Sequence, residues 1–104
     1  MENKRLTLLG FAAKAGRLAY GFEAARVSLK GKKARCIVAA SDVSRKSLKE
    51  ITFFADENRI PVVSLSVIDM QTLSDAVGRR CGILSVNDEG FAQAILKEEK
   101  LDDQ

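Results

Sequence analysis

Two short stretches put arginine and lysine where they could grip phosphate. In Val77-Gly-Arg-Arg-Cys-Gly82, glycines flank the paired Arg79 and Arg80 just ahead of an apolar run. Glycine lets such a loop lie close to a ligand backbone, and an arginine plane can stack on an exposed base while its donors reach phosphate oxygens. A plain surface turn satisfies the same pattern. In Asp42-Val-Ser-Arg-Lys46, Arg45 and Lys46 occupy what reads as the first turn of a helix. The helix dipole is positive there, so each cation is locally unfavourable by about 0.3–1 kcal/mol, whereas the free N–H groups of a helix start attract phosphate. A backbone-phosphate contact accounts for the pair, and solvated surface residues are the competing reading. Asp42 is the one carboxylate just past an apolar strand, where α/β sheets keep their ligands; a capping role there competes with a catalytic one.

The remaining inventory excludes whole classes of reaction. Without a single His, the chain has no Ser-His-Asp or Cys-His nucleophile and no histidine metal site. Cys36 and Cys81 are too few and too far apart for a zinc cage or a disulfide framework, and each lies in an apolar run. Both are expected to be buried, reduced packing residues. No glycine-rich phosphate loop of the Walker or dinucleotide type follows a strand. Asp69, Asp88 and Glu89 cluster at helix starts and Asp102 and Asp103 lie on the tail, where dipole complementarity and solvation explain them. The expectation is a protein that is not an enzyme, with no cofactor and no metal.

Charge narrows the choice of partner. The net charge of +3 hides a polarity: residues 1–50 carry 12 basic and 4 acidic side chains, and residues 51–104 carry 5 and 10. From Arg17 to Cys36 the chain holds Arg17, Arg26, Lys30, Lys32, Lys33 and Arg35 against a single acid, Glu23. Such a run fits nucleic acid, an anionic membrane or an acidic protein. Lys4-Arg5 followed by an apolar run faintly resembles a signal peptide, but Thr7, Gly10 and the prompt Lys14 and Arg17 fit an amphipathic helix better. No stretch approaches the roughly 20 apolar residues of a membrane span. The expected setting is the cytoplasm, with no membrane partner.

The elements that must position these residues alternate regularly. A chain of 104 residues supports one domain, 1–104, with one core. Leu6, Leu9 and Ala13 repeat at helical spacing, with Gly16 as a stop, which predicts a helix over about residues 3–15. An extended piece, Leu18 to Tyr20, precedes a second helix on Phe22, Ala25, Arg26 and Leu29 that Gly31 ends. Cys36-Ile-Val-Ala-Ala40 reads as a central strand covered on both faces. Ser44 can cap a third helix on Leu48, Ile51, Phe54 and Ala55, ending near Asn58 before the strand Pro61 to Leu65. Asp69 or Ser66 starts a short helix on Met70, Leu73 and Val77. The loop Gly78 to Gly82 leads into the strand Ile83 to Val86, and Asn87 or Asp88 opens a terminal helix. The predicted fold class is α/β, a three-layer α/β/α sandwich around a small mixed sheet whose pairing stays open.

Several of these segments also resemble a known family. Gly16-Arg-Leu-Ala-Tyr-Gly21 is similar to a Gly-Lys-Ile-x-x-Gly motif, and Ala34-Arg-Cys-Ile-Val-Ala-Ala-Ser-Asp-Val43 to Ala-Lys-Leu-Val-x-x-Ala-Glu-Asp-Val. Asn58-Arg-Ile-Pro-Val62 resembles an Ile-Pro strand start, and Asn87-Asp-Glu-Gly-Phe-Ala92 a last-helix start. Together, from Leu6 to Leu96, they resemble the ribosomal L-seven-Ae/L-thirty-e type of kink-turn RNA-binding proteins, and within it the bacterial YlxQ-like members. The resemblance implies a three-layer sandwich, no catalysis, and structured or ribosomal RNA gripped by the start of the second helix and the loop before the last strand.

On that resemblance the RNA-contacting residues are Arg17, Gly21, Phe22, Glu23, Ala24, Arg26, Val27, Asp42, Val43, Arg45, Lys46, Gly78, Arg79, Arg80 and Cys81, with the basic run facing an RNA backbone. Phe22 either lies against a base or buries. The family's recognition run, Gly-x-Asn-Glu-x-x-Lys, reads Gly21-Phe-Glu-Ala-Ala-Arg-Val27 here, and Ser41 stands where Glu precedes Asp. Base-edge contacts specify and phosphate contacts supply sequence-independent affinity, so these changes imply weakened kink-turn specificity on an intact scaffold. The sequence leaves the oligomeric state open, with a monomer as the expectation. A protein-interaction module that kept the scaffold and lost RNA recognition is the alternative.

Overall fold

The computed structural model describes residues 3–102, with side chains placed for residues 3–98. Helix α1 (Lys4–Lys14) starts at Asn3, whose Oδ1 accepts from the Arg5 and Leu6 N–H groups at 2.9 and 3.2 Å, and it buries Leu9 and Ala12. Strand β1 (Leu18–Tyr20) turns at Gly21 into α2 (Phe22–Lys30). Strand β2 (Cys36–Ala39) leads to α3 (Arg45–Glu57), capped by Ser44 Oγ on the Ser47 N–H. Strand β3 (Val62–Ser64) leads to α4 (Met70–Val77), where Asp69 rather than Ser66 is the cap, accepting from the Thr72 N–H at 2.8 Å. Strand β4 (Ile83–Val86) precedes α5 (Glu89–Asp102), and Asp88 rather than Asn87 accepts from the helix, from the Phe91 N–H at 2.9 Å.

The sheet order is β1-β4-β2-β3, with β4 antiparallel to both β1 and β2 and with β3 parallel to β2. The mixed sheet is thus established, with the pairing the sequence left open. Side chains of β2 and the residue after it alternate between the layers: Cys36, Val38 and Ala40 join Leu9, Leu73 and Ile95 of α1, α4 and α5, while Ile37 and Ala39 join Ala25, Leu29 and Ile51 of α2 and α3. A strand buried on both faces needs a continuous apolar run, which is what Cys36 to Ala40 is. Gly10 lets α1 approach α4 closely, since a Cβ there would lie 3.3 Å from the Ala76 carbonyl oxygen.

Register defines two ends of the sheet. Tyr20 pairs with Leu84 and Ala39 with Ile83, so β1 and β2 finish where β4 begins. This end is called the upper end. Leu18 and Cys36 both pair with Val86, so Arg17 and Arg35 enter the sheet at the lower end, where β4 finishes. A polar seam closes that end: Ser85 Oγ donates to Asn87 Oδ1 at 2.6 Å, and Asn87 Nδ2 donates to Ser28 Oγ at 3.1 Å, so buried Ser85 and Ser28 are satisfied.

Candidate nucleic-acid interface

Three connections meet at the upper end. In the first, from β1 to α2, Gly21 has φ of 95°, a left-handed conformation that glycine takes without steric cost, and its N–H donates to the Ile83 carbonyl at 2.7 Å. A glycine offers no capping side chain, so α2 starts with none, in contrast to α1, α3, α4 and α5 with Asn3, Ser44, Asp69 and Asp88. The first N–H groups of α2 therefore face the upper end without a side-chain acceptor. In the second connection, from β2 to α3, the Ala40 N–H bonds the Gly82 carbonyl and the Ser41 N–H bonds the Ile68 carbonyl, each at 2.8 Å. Asp42 Oδ1 accepts from the Met70 N–H at 2.8 Å, so the carboxylate is committed to the start of α4. That is the capping role.

The third connection, Gly78 to Gly82, is held from below. Ser74 Oγ accepts from the Cys81 N–H at 3.0 Å and donates to the Cys81 carbonyl at 3.2 Å. Gly82 lies so close to α4 and the β2–α3 turn that a Cβ would come within 2.8 Å of both Met70 Sδ and Val43 Cγ1. Arg79 and Arg80 project from this anchored loop, and the Arg79 guanidinium carbon sits 5.0 Å from the centre of the Tyr20 ring. A guanidinium over an aromatic ring at that distance is a cation–π pair, which favours this placement of Arg79 before any ligand arrives. Two open grooves share Asp42 and Met70. One, of about 740 Å³, runs past Gln71 and Asp75 to Arg79 and Arg80. The other, of about 220 Å³, lies between Phe22, Val43, Ser47 and Gly82.

Gly21, Phe22, Asp42, Val43, Gly78, Arg79 and Arg80 thus come together, with Arg45 and Lys46 exposed on the first turn of α3 beside them. Phe22 is half-buried, packing on the Ala25–Ile51 core while one side lines the smaller groove. Ala24 is half-buried, and Val27 is 59% exposed one turn further along α2. Glu23 accepts from Arg26 Nε at 3.2 Å and from its terminal nitrogen, and this hydrogen bond holds the Glu23 carboxyl below the usual carboxylate range. Arg26 meanwhile lies 5.9 Å from the Phe54 ring centre, turned toward α3 and away from the loop arginines.

Two residues assigned to the surface stand elsewhere. Cys81 is buried at 5% exposure with both backbone groups engaged by Ser74, so it anchors the loop and its side chain is not on the surface; burial also pushes its thiol pKa up. Arg17 lies at the lower end, its Nε 4.0 Å from Asp88. Lys30, Lys32, Lys33 and Arg35 accompany it there, so most of the basic run does not face the upper surface. Conversely, Tyr20, Ser74 and Met70 belong to the site although their residue types gave no sign of it. The sign lies in the pairing of β1 with β4, which brings Tyr20 beside Leu84 and so near the loop.

Among the described residues, no three His, Cys, Asp or Glu side chains gather to hold a metal ion, and no helix is long and apolar enough to cross a membrane.

Comparison with known proteins matches this architecture. No curated protein is similar at a significant level. Among solved structures, a protein with unknown function from Bacillus halodurans is 27% identical, with a TM-score of 0.89, over 95% of this chain and 99% of that one. The Giardia lamblia 15.5kD RNA binding protein has a TM-score of 0.77 at 14% identity, over 92% of this chain and 82% of its own, a likeness of fold. The profile of the ribosomal protein L7Ae/L30e/S12e/Gadd45 family matches residues 4–96, which take in every element from α1 into α5. The chain belongs to that family.

Proposed function

We propose that the chain is a non-enzymatic RNA-binding protein that grips structured RNA of the kink-turn kind with its upper end, as a cytoplasmic, ribosome-associated monomer of the YlxQ-like branch. The observation that carries this reading is the meeting of three connections around one uncapped helix start and four exposed cations. Arg45, Lys46, Arg79 and Arg80 have no ion-pair partner among the described residues. Family membership and the RNA-binding structural neighbour support the same reading.

The chemistry follows from the placement. The free N–H groups of α2 and the cations take phosphate oxygens, and Arg79, held over the Tyr20 ring, offers a stacking plane to an unpaired base. Asp42 Oδ1 is occupied by the Met70 N–H at the start of α4, which supports a structural role for that carboxylate. Specificity is another matter. Ala24 and Val27 have no side-chain donor or acceptor, and Glu23 accepts only, from Arg26. A bidentate base contact is worth about 1–3 kcal/mol of discrimination in DNA readers, so two missing contacts remove most of a kink-turn preference.

Paired titrations of a kink-turn RNA and a straight duplex of matched length, at one salt concentration, test this. Wild type should bind both with similar affinity, and the triple variant Glu23→Asn, Ala24→Glu, Val27→Lys should gain affinity for the kink-turn over the duplex. Strong selective binding of the kink-turn by wild type contradicts the weakened specificity; binding of neither RNA contradicts the function. Ribosome association that survives nuclease treatment would favour the protein-interaction alternative.

A further inference from the structure

The basic run that dominates the first half of the sequence ends up at the lower end of the sheet. There Lys30 closes α2, Lys32 and Lys33 form the turn after it, and Arg35 leads into β2, its N–H bonded to the Val86 carbonyl at 2.8 Å. The turn after α3 lies alongside, tied by a hydrogen bond of 2.9 Å from Lys32 Nζ to Asn58 Oδ1, and it adds Arg59. Between the two turns runs an open groove of about 370 Å³, floored by Leu29 and Phe54 and flanked by Arg26, Lys30 and Lys32 with one acid, Glu57.

Ion pairing accounts for part of this charge only. Arg26 is engaged by Glu23, and Arg35 lies 3.7 Å from Glu89. Lys30, Lys32, Lys33 and Arg59 have no ion-pair partner among the described residues, and Asp56 and Glu57 on the last turn of α3 are the acids beside them. The backbone adds an independent observation. Lys32 and Arg59, with φ of 62° and 58°, are the non-glycine residues in the left-handed region among the described residues. Each sits just past a helix end, the place where glycine ordinarily relieves that conformation. The two helix-end turns that would favour glycine both carry a long cation, Lys32 lining the groove and Arg59 directly following Asn58, which lines it. Helix dipoles favour cations at these ends, which explains Lys30 but not the choice of strained positions, nor Lys33 and Arg35 further on.

We propose that this lower end is a second phosphate-binding surface, taking the backbone of a separate RNA duplex so that one protein joins two RNA segments. The two surfaces lie apart by about 20 Å, the length of the 13-residue α3 with Arg45 and Lys46 at one end and Arg59 just beyond the other. Charge complementarity selects the occupant: exposed cations around a shallow groove, with no base-reading constellation, suit a phosphodiester backbone regardless of sequence. The inference rests on the chain being an RNA binder, not on the upper end being its sole contact.

The test uses the full chain and a fluorescent RNA duplex without internal loops, titrated over a range of salt concentrations. Four proteins are compared: wild type, the lower-end variant Lys30→Gln, Lys33→Gln, Arg59→Gln, the single variant Glu57→Gln, and the upper-end variant Arg79→Glu, Arg80→Glu. The lower-end variant should lose about fivefold or more in duplex affinity. It should also flatten the slope of log affinity on log salt by about two, each phosphate contact being worth roughly 0.7–0.9. Glu57→Gln should bind the duplex more tightly, a gain that misfolding cannot produce and that decides the matter if the lower-end variant fails to fold. Wild type held on an immobilised duplex should retain a second, labelled duplex, which the lower-end variant should not.

Unchanged affinity and slope in both lower-end proteins, with loss in the upper-end variant, overturn the second surface and leave the proposed function standing. Loss in the lower-end variant alone supports the second surface and counts against the upper one. Wild-type binding by all the variants overturns both.

Discussion

Replacing Ser74 by alanine should weaken RNA binding without removing a single charge. Ser74 Oγ holds both the N–H and the carbonyl of Cys81, at 3.0 and 3.2 Å, and Cys81 is buried, so the alanine leaves a buried donor and a buried acceptor without their partner. An unmet buried polar group costs about 1–3 kcal/mol. In a domain near this size each kcal/mol lowers Tm by roughly 4–8 °C, so a fall of at least about 4 °C is expected. The same loss unpins Arg79 and Arg80. Ordering each long side chain at an interface costs about 0.5–1.5 kcal/mol, so the pair adds about 1–3 kcal/mol to binding. That corresponds to an affinity lower by roughly 5- to 150-fold, and the salt slope should stay the same because the number of phosphate contacts is unchanged. The assay is a titration of structured RNA well below Tm, with Ser74→Thr, which keeps the hydroxyl, as the control. An alanine variant with a lower Tm and wild-type affinity would refute the idea that the loop is held ready for RNA.

Three other substitutions or probes bear on the same surface. Arg79→Glu with Arg80→Glu should lower RNA affinity while shifting Tm little, because exposed loop changes usually cost within about 0.5 kcal/mol; an unfolded double variant would mean the arginines are structural. Gly82→Ala forces a Cβ to within 2.8 Å of Val43 Cγ1 and should destabilise the fold by about 1–3 kcal/mol, with Val43→Ala in the same chain recovering part of the loss in denaturant unfolding. A thiol reagent should leave Cys36 and Cys81 unmodified in the folded protein, since both are buried and the Cys81 thiol is held neutral by burial; stoichiometric labelling without denaturant would contradict their placement.

Much of the fold was legible because it rests on local chemistry. Ser44 is placed by its capping side chain, Asp69 and Asp88 each as one of two candidate caps, and Cys36 to Ala40 by an apolar run too continuous for a half-exposed strand. Strand pairing was not legible, because one face of a strand does not record its neighbour; nothing near Tyr20 shows that it will pair with Leu84 and carry Arg79 on its ring. The same gap hid the division of the charge. Arg17 and Gly21 are close in sequence yet lie at opposite ends of β1, and α2 carries its basic end away from the surface its glycine start helps to build. A charge run read along the chain therefore names a partner class without saying which end of the sheet meets it. Cys81 shows a further limit: its neighbours Arg79 and Arg80 are exposed, while its own side chain is buried and its backbone N–H and carbonyl are held by Ser74 Oγ.

The most direct measurement follows the backbone amides of the isotopically labelled protein while a kink-turn RNA is added. The account predicts that Gly21, Val43, Arg45, Arg79 and Gly82 shift together and saturate with one affinity, marking the upper end as the contact. RNA binding with those amides unmoved, or no binding at low salt, would contradict it.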